Sequence, residues 1–541
     1  MKSNILTALS FVFISMGVFA QEDMKVEWTK KYDHKSERVG TGLEGPDEVS
    51  YIADDKYITV FKTSDGSVVW SAKFKDILPR LRRADAFAPF WESNAIFVFD
   101  YKTGKDQLAV LDLNTGEVLW ESTIYQGLSA ANITYFPSKD GFVLSLAGNL
   151  TFVDARTGEE KWETTAFKGA IADSEIIDGD AILLNVAPPG LRGFFKGFKN
   201  QIVRIDLSNG DIKWTQKYYG KPERKLVTKE QVYDMYVEGD KVFLTMNGLQ
   251  VFDVNTGSTL WSATFDHSFS QGKRGNRSAI YGSIADPLRV GRDVYIVERS
   301  KKKKFIIKKY DVNTGKTLWV SEEFKAAKAI PNIFVIKDKL IAQVGGVVEV
   351  QSITTTTSGG VTTTTYSVGS TNIKPNGLMA FNTNTGAEEW ESEKFRKGIT
   401  NAFADGENLI VSSGKSLYSI RYSDGNVNYE EDVKNGGVGN AVEILKYEDK
   451  IVVVGEKGVS TFSISEGKLL NANKYKRAKA TKVVDNILLM RTKKNDFAAF
   501  NLDDCSYVEY NAKKDSKQEL SEDGNFVWAY EKKEVTKLKT R

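Results

Sequence analysis

Asp112-Leu-Asn-Thr-Gly-Glu-Val-Leu-Trp120 places Gly four positions after an acidic residue and Trp four positions after the Gly. The same frame returns as Asp154/Gly158/Trp162, Asp206/Gly210/Trp214, Asp253/Gly257/Trp261, Asp311/Gly315/Trp319 and Asn382/Gly386/Trp390. Lys62/Gly66/Trp70 keeps only the Gly and the Trp. A frame repeated in one register along the chain marks a repeat architecture. A strand ending near the Asp, a tight turn at Thr-Gly and a second strand carrying the Trp would satisfy it. Gly supplies the positive φ of such a turn. Having no Cβ, it also leaves a flat surface on which the Trp of a neighbouring unit can lie, so each Trp is expected to staple two units together.

Working outward, the residues around each frame form short β-rich runs divided by turn residues. In the fifth unit these are Val232–Val237, Lys241–Met246, Leu249–Asp253 and Thr259–Phe265. Four strands in a unit of about 40–50 residues is the period of a β-propeller, and no helix-period segment of useful length follows residue 20. Weaker frames at Gly425 (Tyr429 in the Trp slot), Gly467 (Asn471) and Cys505 (Glu509) extend the count to ten. Val26-Glu-Trp-Thr-Lys-Lys-Tyr32 looks like an outer strand with no turn before it. Phe526–Tyr530 and Val535–Leu538 form a strand pair with no outer strand after it. The two ends are expected to share an eleventh sheet that closes the ring and removes exposed edges. From about Thr400 the Trp staples are lost, and a less regular C-terminal third is expected.

The 541 residues are 41% hydrophobic with a net charge of +3, enough for a core and too balanced for a nucleic-acid partner. Met1–Ala20 reads as a signal peptide, with Lys2, an apolar run from Ile5 to Phe19 and Val18-Phe-Ala20 before Gln21. The organisation expected is therefore a leader over 1–20 and a propeller over 21–541. No other run is long and apolar enough to span a bilayer, and no Cys follows the cleavage site to carry a lipid. The chain reads as exported, periplasmic or secreted, without a lipid anchor, and monomeric.

Two insertions break the rhythm. Residues 187–199, between the second and third strands of the fourth unit, carry Phe194, Phe195 and Phe198, which are costly to leave in water. They read as a loop folded over the propeller's own face or as a candidate partner contact. Residues 347–376 include Thr354-Thr-Thr-Thr-Ser-Gly-Gly-Val-Thr-Thr-Thr-Thr-Tyr366, whose β-branched runs around Ser-Gly-Gly spell a projecting hairpin. It reads as a solvated elaboration or as an edge on which a partner docks. Lys301–Lys304 with Lys308 and Lys309 reads as a solvated turn, with anion binding the alternative. His34 and His267 are expected at the surface. Cys505 stands in a Gly slot, and with one Cys no disulfide forms within the chain.

The repeated Asp-x-x-Thr-Gly-x-x-x-Trp frame resembles the tryptophan-docking motif of quinoprotein-like, PQQ-type β-propellers. That family contains PQQ-dependent alcohol dehydrogenases and the outer-membrane assembly propeller lipoprotein of Gram-negative bacteria. The resemblance covers nearly the whole mature chain and implies an all-β propeller of four-stranded antiparallel blades, by family default eight, against the ten to eleven units counted here. The dehydrogenases pack their quinone against a disulfide of adjacent cysteines, which one Cys cannot supply, and Cys-x-x-Cys-His is absent. PQQ is therefore not expected as a cofactor, and neither catalytic, cofactor-binding nor metal-binding residues are assigned. The repeated Asp residues are too numerous for one active site and read as turn caps. The function expected is a non-catalytic exported scaffold for a protein or surface ligand, with an atypical PQQ-dependent dehydrogenase and a carbohydrate-binding propeller as alternatives.

Overall fold

The computed structural model describes residues 22–541 except 43–47, 82, 101–106, 126–127, 129–131, 147–148, 168–170, 186–200, 219–233, 246–247, 264–268, 274–275, 282–283, 300–303, 325–328 and 359–360. Over 269–281 and 349–370 it describes the backbone. Eleven sheets follow one another along the chain, most with four antiparallel strands in sequence order. The residue count of eleven thus holds where the family default of eight does not. Blade 5 is Asp234–Glu238, Lys241–Thr245, Leu249–Asp253 and Thr259–Ala263, within a residue or two of the expected runs. The one α-helix is a single turn, Phe74–Ile77, among the described residues.

Within the ring, the second and third strands of most blades are largely buried, because both faces of a blade meet a neighbour. Ala95–Asp100, Ile202–Ile205 and Lys450–Gly455 read as near-continuous apolar runs for this reason. The core is correspondingly a ring of clusters, each shared by two adjacent blades. Ile58, Val60, Ile96 and Val98 join blades 1 and 2, and Val452, Val454, Leu488 and Met490 join blades 9 and 10. Ile52, Phe61, Trp528 and Val535 join blade 11 back to blade 1.

Closure uses both ends of the chain. Blade 11 is Lys517–Leu520, Phe526–Glu531 and Glu534–Lys539, with Val26–Lys31 added as its outer strand, antiparallel to Glu534–Lys539. Before that, Glu22–Asp23 pairs in parallel with Tyr507–Tyr510 of blade 10, and buried Met24 donates its N–H to Glu509 O at 2.8 Å. The N-terminal segment therefore straps blade 10 before it completes blade 11.

The C-terminal third is more regular than its sequence promises. Blades 8 and 9 (Ile399–Asp432 and Ala441–Lys474) are complete four-stranded sheets. Tyr429 takes the place of a Trp, lies on Gly467 and donates its hydroxyl to Ile464 O at 2.9 Å. A phenol thus makes the hydrogen bond an indole makes elsewhere.

Blade 7 departs most from the pattern. Its second strand, Lys339–Ser358, has 20 residues where the other blades use five to seven, and it pairs with Val361–Asn382 up to Ser358 opposite Val361. At about 3.3 Å per residue, the part beyond Gly346 extends roughly 40 Å. A bulge between Val344 and Gly346 marks the exit from the blade, with Gly345 at φ 71° and Gly346 at φ 123°, values that favour Gly. The connection from blade 5 to blade 6 contributes a second hairpin, Phe269–Lys273 and Asn276–Tyr281, which pairs with Glu349–Thr354. The Thr-rich hairpin is thus half of a four-stranded wing. Replacing residues 354–365 by Asn-Gly would join the paired residues Ile353 and Tyr366 through a two-residue turn. Its melting temperature is expected to match wild type, and loss of soluble protein would show that the ring depends on the wing tip.

Candidate functional site

The turn that defines the repeat is built by its acid. Asp253 Oδ1 accepts from the N–H groups of Asn255 (2.9 Å) and Thr256 (2.8 Å), and Gly257 N–H reaches Asp253 O at 2.9 Å. Asn382 caps its own turn in the same way through Asn384 and Thr385. The backbone N–H of Thr256 holds the Asp253 carboxyl below its ordinary range, and Thr314 does the same for Asp311. These acids are ionised acceptors in turns.

A carboxylate whose folded-state pKa is lowered stabilises fully above its unfolded value, about pH 4, and that contribution is lost as pH falls through the folded value. Asp253→Asn with Asp311→Asn should keep the caps, as Asn382 does, and narrow the gap between melting temperatures at neutral and strongly acidic pH. An unchanged gap would place the acid sensitivity elsewhere.

The Trp and Gly slots meet across blades. Trp70 lies on Gly116, Trp120 on Gly158, Trp162 on Gly210, Trp214 on Gly257, Trp261 on Gly315 and Trp319 on Gly386, and the series continues with Trp390 on Gly425. A Cβ on Gly116 would stand 2.6 Å from the Trp70 ring, too close to be accommodated without movement. Each indole N–H also donates to a carbonyl of the next blade's turn, from 2.8 Å for Trp214 to Val254 O to 3.0 Å for Trp120 to Ala155 O. Trp28 of the closing strand, outside the repeated frame, does the same to Ser64 O at 2.8 Å and lies against Gly66.

Cys505 holds the Gly slot of blade 10 at φ 61°, fully buried, and burial pushes its thiol up to about 12. His34 is not at the surface. It is 4% exposed, stacked on Tyr57 and bonded through Nε2 to Thr59 Oγ1 at 2.8 Å, because the chain turns inward there after the closing strand. Phe194, Phe195, Phe198, His267 and Lys301–Lys303 lie outside the described residues. Lys304 and Lys308 pair with Glu323 and Glu298.

Strand order separates the two faces of the disc. Turns between first and second strands and between third and fourth strands emerge on one face, where most connections are short and the Asp-capped turn recurs. Connections from second to third strand and from blade to blade emerge on the other. On this second face the described strands of the ring end at Lys73, Asn185, Gln216 and Ala263 and the next ones in the ring begin at Ala86, Ile202, Asp234 and Leu288, and the wing emerges there. The first strands of neighbouring blades approach one another, as Ile171–Ile177 does Asp234–Glu238, and so surround the axis.

On that loop-bearing face a cavity of about 190 Å³ opens between blades 5 and 6. Its lining includes Asp234, Tyr236, Phe243, Asp286 and Arg289. Tyr236 stacks on Phe243 with ring centroids 4.9 Å apart, and the Arg289 guanidinium lies 5.0 Å above the same Phe243 while pairing with Glu238. Asp173 and Glu175 of blade 4 are raised from their ordinary values by burial first, then by neighbouring charge, Asp234 acting on Asp173 and Asp173 with Asp234 on Glu175. This rim attracts cations and offers aromatic faces. Its residues come from strands and connections outside the repeated Asp-Gly-Trp frame, so that frame gave no sign of them.

A broader cavity of about 640 Å³ on the opposite face is lined by turn residues of blades 2 and 3. Its Arg156 is already committed to Asp112 at 2.8 Å and to Ser93 O at 2.9 Å. Among the described residues no three His, Cys, Asp or Glu side chains gather as metal ligands. No helix among them is long and apolar enough to cross a membrane.

Fold and site together define a tryptophan-docked β-propeller with a four-stranded wing standing on one face. The chain belongs to the family described as outer membrane protein assembly factor BamB, whose model matches residues 17–263, 104–343 and 303–541. A search of curated proteins found no match. Solved structures similar to the chain include BamB from Moraxella catarrhalis, at 15% identity over 68% of this chain and 92% of that one, with a TM-score of 0.29. The computationally designed Ika8 protein matches at 12% identity over 69% and 96%, with a TM-score of 0.36. The quinohemoprotein alcohol dehydrogenase ADHIIG from Pseudomonas putida HK5 matches at 11% identity over 82% and 72%, with a TM-score of 0.30.

Proposed function

We propose that the protein is an exported, non-catalytic scaffold that holds a protein partner on the loop-bearing face of its ring. The observation carrying this reading is the asymmetry of the two faces: one repeats the capped turn, while the other carries the helical turn Phe74–Ile77 and the wing. Variable loops on a rigid frame are where binding resides. The family's description names outer membrane protein assembly, and the signal-like segment Met1–Ala20 supports export. A partner in the cell envelope with a basic or aromatic contact element suits the rim of Asp173, Glu175 and Asp234.

A photo-crosslinking residue at Ile124, 69% exposed on a blade-to-blade connection of the loop-bearing face, should capture a discrete envelope protein. The same residue at Asn209, in a turn of the opposite face, should not. Equal capture from both positions, or retention of the protein with its leader in the cytosol, would reject the proposal.

A further inference from the structure

The wing leaves one long strand edge without a partner. Val361–Asn382 pairs on one side with Lys339–Ser358. On the other side it meets the fourth strand of blade 7, Glu388–Glu391, only at Met379–Phe381. Residues 361–371 therefore have no ladder partner on that side among the described residues. Their backbone N–H and C=O groups alternate along an open edge, and another β-strand is what complements such a row.

The sequence of this edge is unguarded. Residues 361–373 contain no Asp, Glu, Lys, Arg or Pro, and the run is rich in strand-favouring Thr. Elsewhere the protein protects its edges. The outer strands of the blades are four to six residues long, and most carry charge, as in Glu160-Lys-Trp-Glu163, Glu388-Glu-Trp-Glu391 and Val427-Asn-Tyr-Glu-Glu-Asp432. The opposite edge of the wing, Phe269–Lys273, is five residues long and ends on a Lys. The 361–371 edge is both longer and uncharged.

We propose that residues 361–371 pair antiparallel with the same strand of a second copy of this chain about a two-fold axis. Self-pairing sets a strand against its own reverse, which brings like charges opposite one another wherever a charged residue lies near the centre of the pairing. An uncharged edge is free of that penalty, and it offers no counter-charge to a charged foreign strand. A wing extending roughly 40 Å from the disc also lets two edges meet with the ring bodies apart. The net charge of +3 leaves little long-range repulsion between copies. The assembly would be a continuous eight-stranded sheet joining two rings that face each other, rather than the monomer expected from sequence.

Sedimentation velocity on the mature chain tests this. Wild type should form dimers with a Kd at or below roughly 10 µM. Thr363→Lys, Thr365→Lys and Ser367→Lys combined should weaken association at least tenfold, more so at low salt, with thermal melting unchanged. The Asn-Gly replacement of 354–365 should also be monomeric. Wild type that stays monomeric at that concentration overturns the proposal, including the case in which the wing captures a different protein. So does a triple-lysine variant that dimerises like wild type, which would place the contact elsewhere.

Discussion

Removal of residues 21–31 is expected to destabilise the ring more than any single substitution. The deletion takes away the outer strand of blade 11, the parallel pair with blade 10, buried Met24 and the Trp28 contact with blade 1. Burial of one large apolar side chain contributes about 1.5–3 kcal/mol. With the ladder hydrogen bonds, the loss approaches the roughly 5–15 kcal/mol that separates native from unfolded domains. A drop in melting temperature of roughly 5–10 °C or more, with aggregation through the newly open edge of Glu534–Lys539, is the expected result. A synthetic peptide spanning residues 21–37 should restore part of the loss when added in trans. Melting of the truncated chain within a degree of wild type would show that the closing strand is dispensable.

The second large effect is at Trp214. Its indole is 7% exposed, lies on Gly257 and bonds Val254 O at 2.8 Å, so Trp214→Ala should cost about 3–5 kcal/mol. Trp214→Tyr should cost clearly less, because Tyr429 makes the equivalent bond to Ile464 O in blade 8. Trp120→Ala should also cost less than Trp214→Ala, since Trp120 is half-buried. In chemical denaturation, a Tyr variant no better than Ala would show that the phenol does not substitute for the indole at this position. A double-mutant cycle of Trp214→Ala with Gly257→Ala should show coupling. Once the ring is gone, the added Cβ no longer meets the three ring atoms that stand nearest to it, and only the cost of the positive φ at Gly257 remains in common.

The architecture was legible because its signals are local. An Asp or Asn that caps its own turn, a Gly that alone fits the turn beneath a ring, and a Trp four residues later all lie within nine residues, as in Asp112–Trp120. The closing blade was legible for a related reason, since an outer strand without a turn and a strand pair without an outer strand complete each other. Tyr429 shows where such reading falls short. Loss of the Trp suggested irregularity, yet a phenol reaches the same carbonyl and the sheet is intact.

The candidate site was hardly legible. Asp234 is some sixty residues from Asp173 and Glu175 in the chain and stands beside them only because the first strands of adjacent blades converge around the axis. His34 was misplaced because nothing near it in sequence reveals that Tyr57 and Thr59 of the next blade will cover it. The wing is the clearest case. The Thr-rich hairpin could be read from its β-branched runs and Ser-Gly-Gly turn, but its pairing with Asn276–Tyr281 is a contact between segments some seventy residues apart. The sequence by itself determined the repeat, the blade count and the way the ring closes, because turn chemistry and strand patterning act over a few residues. Which residues share a face, a rim or an open edge was decided by the tertiary structure, because curvature and strand pairing join parts of the chain that carry no local mark of one another.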